Sequence, residues 1–326
     1  MNASALKIVL CALSLAICNS APAQTNYPSQ PVKVVVGFAP GGSTDQVARI
    51  IADGMAARLN QSFVVENRPG ASGNLAAGQV ARAHGDGYTL LLSAVGLATT
   101  AAFNPEILQA HPTQDLAPVA LLAYTPNVLL ASDKSGFKSV ADVIEYGKKN
   151  PDGLSFGHSG YGGGLHLTGE IFSVRSGVKM TQVPYKGVAP MMQDLLAGHI
   201  NIGWDNLSTA LPVARSGKVR ALAIAAPNRS PEMPDVPTFE ELGYKNMDFG
   251  AWFGMHAPKS ISPKLAKTLS EQLSAVLDDE KVRQRIAALG IQIIKSKSPE
   301  AFLAYVDSNI TQWKEVVDQA NVKLNK

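Results

Sequence analysis

The most constraining feature of this sequence is a buried strand that runs into a glycine turn and then a helix, twice over. Residues 31–38 hold Val32, Val34, Val35 and Val36, an almost unbroken β-branched run. Such a run suits a parallel strand covered on both faces, not an alternating strand with one wet face. Gly41 and Gly42 turn the chain, and Val47, Ile50, Ile51, Met55 and Leu59 then recur at helical spacing. A strand at residues 153–157, a loop at 159–164 and a helix at 165–176 repeat the construction. Parallel strands need crossover connections, so the chain is committed to α/β architecture.

The alternation continues along the chain. Further strands are expected at residues 63–66, 88–92, 127–131, 181–184, 200–204, 220–226 and 249–256. Helices are expected at 74–83, 139–149 (after the cap Ser139), 190–197 and 207–216. Residues 228–240 are proline-rich and read as a loop. The last part changes character, with amphipathic helices at 263–277, 280–289 and 299–322. Two βα sets followed by a strand and helices predict two lobes with two crossings, near residues 124–128 and 248–252. Lobe 1 is expected to hold residues 24–126 plus 251–326, and lobe 2 residues 127–250.

The N-terminus reads as an export signal. Lys7 supplies a positive end, residues 8–17 are apolar apart from Ser14, and Ala21-Pro22-Ala23 is a small-residue cleavage site. The apolar run is too short to span a bilayer. Residues 1–23 are therefore expected to be removed, giving a periplasmic protein that begins near Gln24. The only two cysteines, Cys11 and Cys18, lie in that segment, so residues 24–326 offer no thiol for a disulfide, a nucleophile or a metal. Lipid attachment at Cys18 is the alternative, though bulky Ile17 stands where a small residue is wanted. Net charge is +3, or +2 without Lys7, and no basic run points to nucleic acid. Apolar residues at 46% and charged residues at 17% indicate a globular chain. No later stretch approaches roughly 18 uninterrupted apolar residues, so no membrane span is expected.

The chemistry is concentrated in the two glycine loops. Phe38-Ala39-Pro40-Gly41-Gly42-Ser43-Thr44-Asp45 joins the first strand to its helix. Glycines expose backbone N–H groups there, and the helix N-terminus adds about half a positive charge. This is an anion site at the C-terminal end of a strand, where open α/β sheets bind ligands. Ser159-Gly160-Tyr161-Gly162-Gly163-Gly164 offers the same in the second lobe. Ser93, at the end of another strand, and Asp205, after the strand ending at Trp204, are further candidates facing the cleft. Asp205 also suits a capping role with Asn206. Trp204, Trp252 and Tyr161 are available to stack on an aromatic ligand or to fill the core.

Other chemistries fit less well. No Gly-Lys-Ser/Thr follows the loops, so they are not a P-loop, and no cofactor is expected. Gly157-His158-Ser159-Gly160-Tyr161 nearly matches a nucleophile elbow, but Tyr161 takes the last glycine position. A secreted serine hydrolase using Ser159, with Asp205 and His256 recruited, is the enzymatic alternative. The six histidines have no metal-ligand spacing.

These segments, together with Glu66-Asn67-Arg68-Pro69-Gly70-Ala71, Val183-Pro184-Tyr185-Lys186-Gly187 and Asp194-Leu195-Leu196-Ala197-Gly198, resemble the Bug family. Asp205-Asn206, Ser216-Gly217-Lys218, Ala221-Leu222-Ala223 and Pro234-Asp235-Val236-Pro237-Thr238 extend the resemblance over residues 24–326. Bug proteins are periplasmic solute receptors of tripartite tricarboxylate transporters. The resemblance implies a two-lobed periplasmic-binding, or Venus-flytrap, fold with a hinge and two crossover segments. It implies a binding protein, not an enzyme, expected to be monomeric. Its ligand would be a small carboxylate (a di- or tricarboxylate, an acidic amino acid or an aromatic acid), and its partners the membrane components of a transporter. A ligand co-receptor for a sensor kinase would use the same site. In the family the carboxylate is held by backbone N–H groups, hydroxyls and water, not by an arginine clamp.

One departure stands out. The family's second loop resembles Ser-Gly-Asn-Gly-Ser/Thr, whereas here Tyr161 replaces the asparagine and Gly163 the hydroxyl residue. The exchange removes a side-chain donor and predicts an aromatic wall, hence a preference for a larger or aromatic carboxylate.

Overall fold

A computed structural model describes residues 27–320 of the chain. The expected export signal and the question of Cys18 lie outside the described residues. The strands are β1 (Val32–Val36), β2 (Phe63–Asn67), β3 (Thr89–Ala94), β4 (Leu116–Ser132), β5 (Ser155–His158), β6 (Thr181–Pro184), β7 (Ile202–Asn206), β8 (Val219–Ala225), β9 (Gly250–Pro258) and β10 (Gln292–Ile293). The helices are α1 (Ser43–Leu59), α2 (Asn74–Ala81), α3 (Gly96–Phe103), α4 (Val140–Lys149), α5 (Gly164–Ser176), α6 (Val188–Ala197), α7 (Leu207–Arg215), α8 (Pro263–Asp278), α9 (Glu280–Ala287) and α10 (Pro299–Ala320).

The strands run in the order β2-β1-β3-β9-β4-β7-β5-β6, with β8 and β10 also on β4. β1 lies parallel to β2 and β3. β5 lies parallel to β6 and β7. Each parallel set is the α/β unit that the valine run and glycine turns anticipate. In β1, Val32, Val34, Val35 and Val36 are all buried, which is why that strand shows no alternation.

β4 joins the two sets. Its first part, Leu116 to Pro126, pairs antiparallel with β9. From Asn127 onward it pairs with β7 and β8. A second link lies beside it, where Asn127 N–H donates to Phe249 O (2.9 Å) and Phe249 N–H donates to Ala225 O (3.1 Å). The sequence reading finds only the second half of β4. Pro118 and Pro126 obscure the first half, because proline cannot donate to a ladder. The strand accommodates this part with register shifts at Pro118/Ala120 and Leu121/Ala123. Helix α3 also escapes the sequence reading. Its residues Gly96 to Thr100 are all buried, so no polar face marks its period.

Local signals hold where they are strong. Ser139 caps α4 as expected, accepting from Asp142 N–H while Asp142 accepts from Ser139 N–H. This capping box satisfies two amides that the helix leaves unpaired. Ser139→Ala should lower the unfolding free energy by about 1 kcal/mol. Urea denaturation monitored by far-UV circular dichroism checks it, and an unchanged midpoint would mean the box does not stabilise α4. Among the described residues no helix is long and apolar enough to cross a membrane.

Candidate functional site

Helices α1, α3, α5, α6 and α7 each follow a strand, β1, β3, β5, β6 and β7 respectively. The N-termini of all five meet at one cavity. Phe38, Gly42, Ser43 and Thr44 line it from the first loop. Ser159, Gly163, Gly164 and Leu165 line it from the second. Ala94, Val95 and Gly96, then Gly187 and Val188, then Asn127 and Asn206 complete most of the wall. None of the described lining residues carries a charged side chain.

The two loop helices start without side-chain caps. Gly42 and Gly163 are extended, at φ −76° and −79°, and have no side chain to accept from the first turn. The first helical bonds are Gln46 N–H to Gly42 O (3.0 Å) and Leu167 N–H to Gly163 O (3.1 Å). The amides of Ser43, Thr44 and Asp45, and of Gly164, Leu165 and His166, therefore have no partner inside their helices. An anion placed between them would accept from those amides and meet the positive ends of the helices.

A chain of buried hydrogen bonds ties these helix starts together. Ser43 Oγ–H donates to Asn206 Oδ1 (2.7 Å), and Asn206 Nδ2–H donates to Asn127 Oδ1 (2.8 Å). Asn127 Nδ2–H donates to Thr168 Oγ1 (2.8 Å), whose hydroxyl donates to Gly164 O (2.7 Å). The chain thus runs from α1 through the crossing strand β4 to the first turn of α5. A buried network satisfied in this way favours one arrangement of the groups it joins.

The remaining sequence candidates lie behind the wall. Gly41 (φ 87°) forms the turn, and Pro40 precedes it; neither lines the cavity. Asp45 accepts from Gly41 N–H, from Arg49 and from Asn67. Burial pushes its pKa up, but those hydrogen bonds and the Arg49 charge outweigh burial and hold it below the ordinary value. Asp45 therefore fastens the turn. Ser93 donates to Gly254 O (2.9 Å) and contacts His256 Nδ1 (2.8 Å) inside the core. Gly160 and Gly162 direct their N–H groups at His158 Nδ1 (3.3 Å) and His166 Nδ1 (3.1 Å).

The expected aromatic wall does not form. Tyr161 packs its ring on His166, with centroids 4.8 Å apart, and is not on the cavity lining. Trp204 stacks on Phe239 in the core, and Trp252 Nε1–H donates to Asn309. Asp205 is fully buried and accepts from Asn206 N–H and the Thr209 hydroxyl; neither it nor Asn206 makes a side-chain cap on α7. The contributors that sequence reasoning left out of the site are Ala39, Ala94, Val95, Gly96, Asn127, Gly164, Leu165, Gly187, Val188, Asn206 and Ala251. Asn206 and Gly187 stood in the quoted motifs; α3, which brings Val95 and Gly96, carried no periodic signal.

The triad that a hydrolase requires is not assembled. The ring nitrogens of His158 engage Gly160 and Gln182, and His256 is paired with Ser93. Asp205 meets Asn206 and Thr209 instead of an imidazole. Among the described residues no group of three His, Cys, Asp or Glu side chains could hold a metal.

Comparisons with known proteins fit this geometry. The profile of the tripartite tricarboxylate transporter family receptor matches residues 47–322. The solved structure of the periplasmic binding protein BugD is 37% identical, covers 91% of this chain and 99% of its own, and superposes with a TM-score of 0.85. MatC from Rhodopseudomonas palustris, solved with bound malate, is 36% identical over 89% of this chain and 100% of its own, with a TM-score of 0.84. An R. palustris protein solved with adipate is 33% identical over 91% of this chain and 99% of its own, with a TM-score of 0.87. The family and these neighbours are solute-binding proteins, and the α/β architecture described above is their two-lobed periplasmic-binding fold. The chain therefore belongs to the tripartite tricarboxylate transporter receptor family, which includes the Bug proteins.

Proposed function

We propose that the chain captures a small dicarboxylate outside the cytoplasm and presents it to the membrane components of a tripartite tricarboxylate transporter. The observation that carries this reading is the convergence of five helix N-termini on one cavity with no charged lining. Such a site compensates carboxylate charge with backbone amides and helix dipoles. Thr44 and Ser159 add hydroxyls to the same wall. The malate and adipate bound by two relatives support a diacid of four to six carbons. With Tyr161 packed on His166, the main reason to favour an aromatic acid falls away.

The ligand-binding residues in this reading are Phe38, Gly42, Ser43, Thr44, Ser159 and Gly163 from the loops, joined by Gly164, Leu165 and Asn206. Pro40, Gly41, Asp45, Gly160, Tyr161, Gly162 and Asp205 shape the loops from behind. Lobe 1 would hold residues 24–126 plus 251–326 and lobe 2 residues 127–250, in keeping with the change of partners along β4 at Asn127. Residues 1–23 would direct export to the periplasm, and the mature protein would act as a monomer.

Hydrogen bonds to a charged group contribute about 1.5–3 kcal/mol each. Several of them, less the cost of ordering the loops and ligand, give an affinity of about 1 μM. Calorimetry with malate, succinate, adipate and benzoate tests the reading. At least one diacid should bind near that affinity, and benzoate more weakly. Failure of all four to bind, in a protein that melts cooperatively, would reject the carboxylate assignment.

A further inference from the structure

Ser72 sits in a turn whose backbone is held in an unfavourable shape. Gly70, Ala71, Ser72 and Gly73 have φ values of 147°, 47°, 53° and 96°. Ala71 and Ser72 are thus side-chain-bearing residues in the left-handed region, an arrangement that persists only where its surroundings over-determine it. Here they do. A Cβ on Gly37 would lie 2.4 Å from Gly73 Cα, and one on Gly96 would lie 2.4 Å from Ser72 O. Asn74 Nδ2–H donates to Ala71 O (2.6 Å) and to Thr100 Oγ1 (3.1 Å). The turn is packed into the part of the molecule built on β1 to β3.

The hydroxyl it presents points the other way. Ser72 Oγ–H donates to Tyr161 O (2.8 Å), in the loop between β5 and α5. Ser72 is almost fully buried by this contact and its own turn. A Cβ on Gly160 would lie 3.3 Å from Ser72 Oγ, and one on Gly163 would lie 3.1 Å from it. The second loop therefore receives the hydroxyl where glycines leave room for it. The hydrogen bond crosses the cleft near the uncapped start of α5.

We propose that Ser72 is a positioning residue that latches the second glycine loop to the first lobe when the lobes close, and so slows release of the bound acid. The role follows from the geometry. The turn is rigid on one side, its donor is fixed in direction, and its acceptor is a backbone carbonyl of the opposite lobe. Opening the cleft must break this bond before the amides of Gly164 and Leu165 can separate from those of Ser43 and Thr44. The role in ligand release rests on the carboxylate reading of the cavity, but the contact itself can be tested without a ligand.

The two cysteines of the chain are Cys11 and Cys18, so an introduced pair is readily identified. A Cβ on Gly163 would lie 3.7 Å from Ser72 Cβ, inside the span of about 3.5–4.5 Å that disulfides bridge. The full chain carrying S72C/G163C, exported by its host and mildly oxidised, should yield a 72–163 disulfide in peptide mass analysis. Ser72→Ala should release malate or adipate about 3- to 10-fold faster in stopped-flow measurements, with unchanged association. Ser72→Gly, which relaxes the backbone but lacks the hydroxyl, should do the same. Free thiols after oxidation, with or without the diacids, would overturn the latch, as would wild-type release rates in both Ser72 variants. A disulfide in a protein that binds neither diacid would remove the ligand assignment and leave the contact standing.

Discussion

Gly164→Val should weaken dicarboxylate binding by about 100-fold while leaving the melting temperature within a degree or two, because it overpacks the closed cleft without touching the core of either lobe. Gly164 is the first residue of α5, lines the cavity and has an ordinary helical backbone, so a side chain there is not strained. A Cβ at that position would lie 2.9 Å from Val95 Cγ1, at the start of α3, which the proposed lobe division places on the other side of the cleft. Valine adds two further methyl groups on the same side. The open protein has room for them, whereas the closed one must move Val95 or stay ajar. A lobe held ajar leaves water around the carboxylate and weakens each hydrogen bond to it. Calorimetry and thermal denaturation of the same preparation separate the two effects. Undiminished affinity would mean that closure does not bring α3 and α5 together. A large fall in melting temperature would mean that Gly164 packs within its own lobe.

That prediction depends on features that the sequence discloses unequally. The strand, glycine turn and helix around Gly41 and Gly163 are legible because β-branched runs and glycine pairs are local signals. Not every glycine of the loops is part of the wall. Gly41 and Gly162 take positive φ to reverse the chain, and the residues that follow them face the cavity. Within α1, each residue turns about 100° from the last, and Asp45, a further step beyond Ser43 and Thr44, no longer faces the cavity. Thr44 lines the cavity, and Asp45 turns back to Arg49, four residues on.

Non-local contributors explain most of what the sequence conceals. Asn127 and Asn206 lie far apart in the chain and meet only because β4 changes partners at the crossing. No periodicity links them. Helix α3 is hidden by its small residues, and with it the approach of Val95 and Gly96. Nothing in the sequence singles out Ser72, and its reach across the cleft depends on the full fold. Tyr161 shows the converse. Its departure from the family pattern was legible, but its direction was not, because His166 offers a ring to pack against.

Relative to wild type, Asp205→Asn should gain on the order of 4 kcal/mol of stability as the pH rises from 4 to 8. Asp205 is fully buried, with Oδ1 accepting from Asn206 N–H and the Thr209 hydroxyl and Oδ2 left without a partner. Burial pushes its pKa up from the ordinary 3.8 to about 7, against the lowering effect of those two hydrogen bonds. Between these values the folded state holds a proton that the unfolded state has lost. Stability from this group is therefore fully present below about pH 4 and is lost as the pH rises through 7. The wild-type curve alone would hide this. His158 and His256, each pushed down to about 3 by burial, destabilise the fold as the pH falls below their ordinary 6.5. The difference between wild type and Asp205→Asn cancels the histidines and isolates the aspartate. Asparagine keeps an accepting oxygen at Oδ1 and removes the charge, at the pH-independent cost of placing an amide NH2 where Oδ2 has no partner. Urea denaturation of both proteins at pH 5, 6, 7 and 8 should show the gap widening with pH and levelling above 7. Parallel curves would place the Asp205 ionisation outside this range.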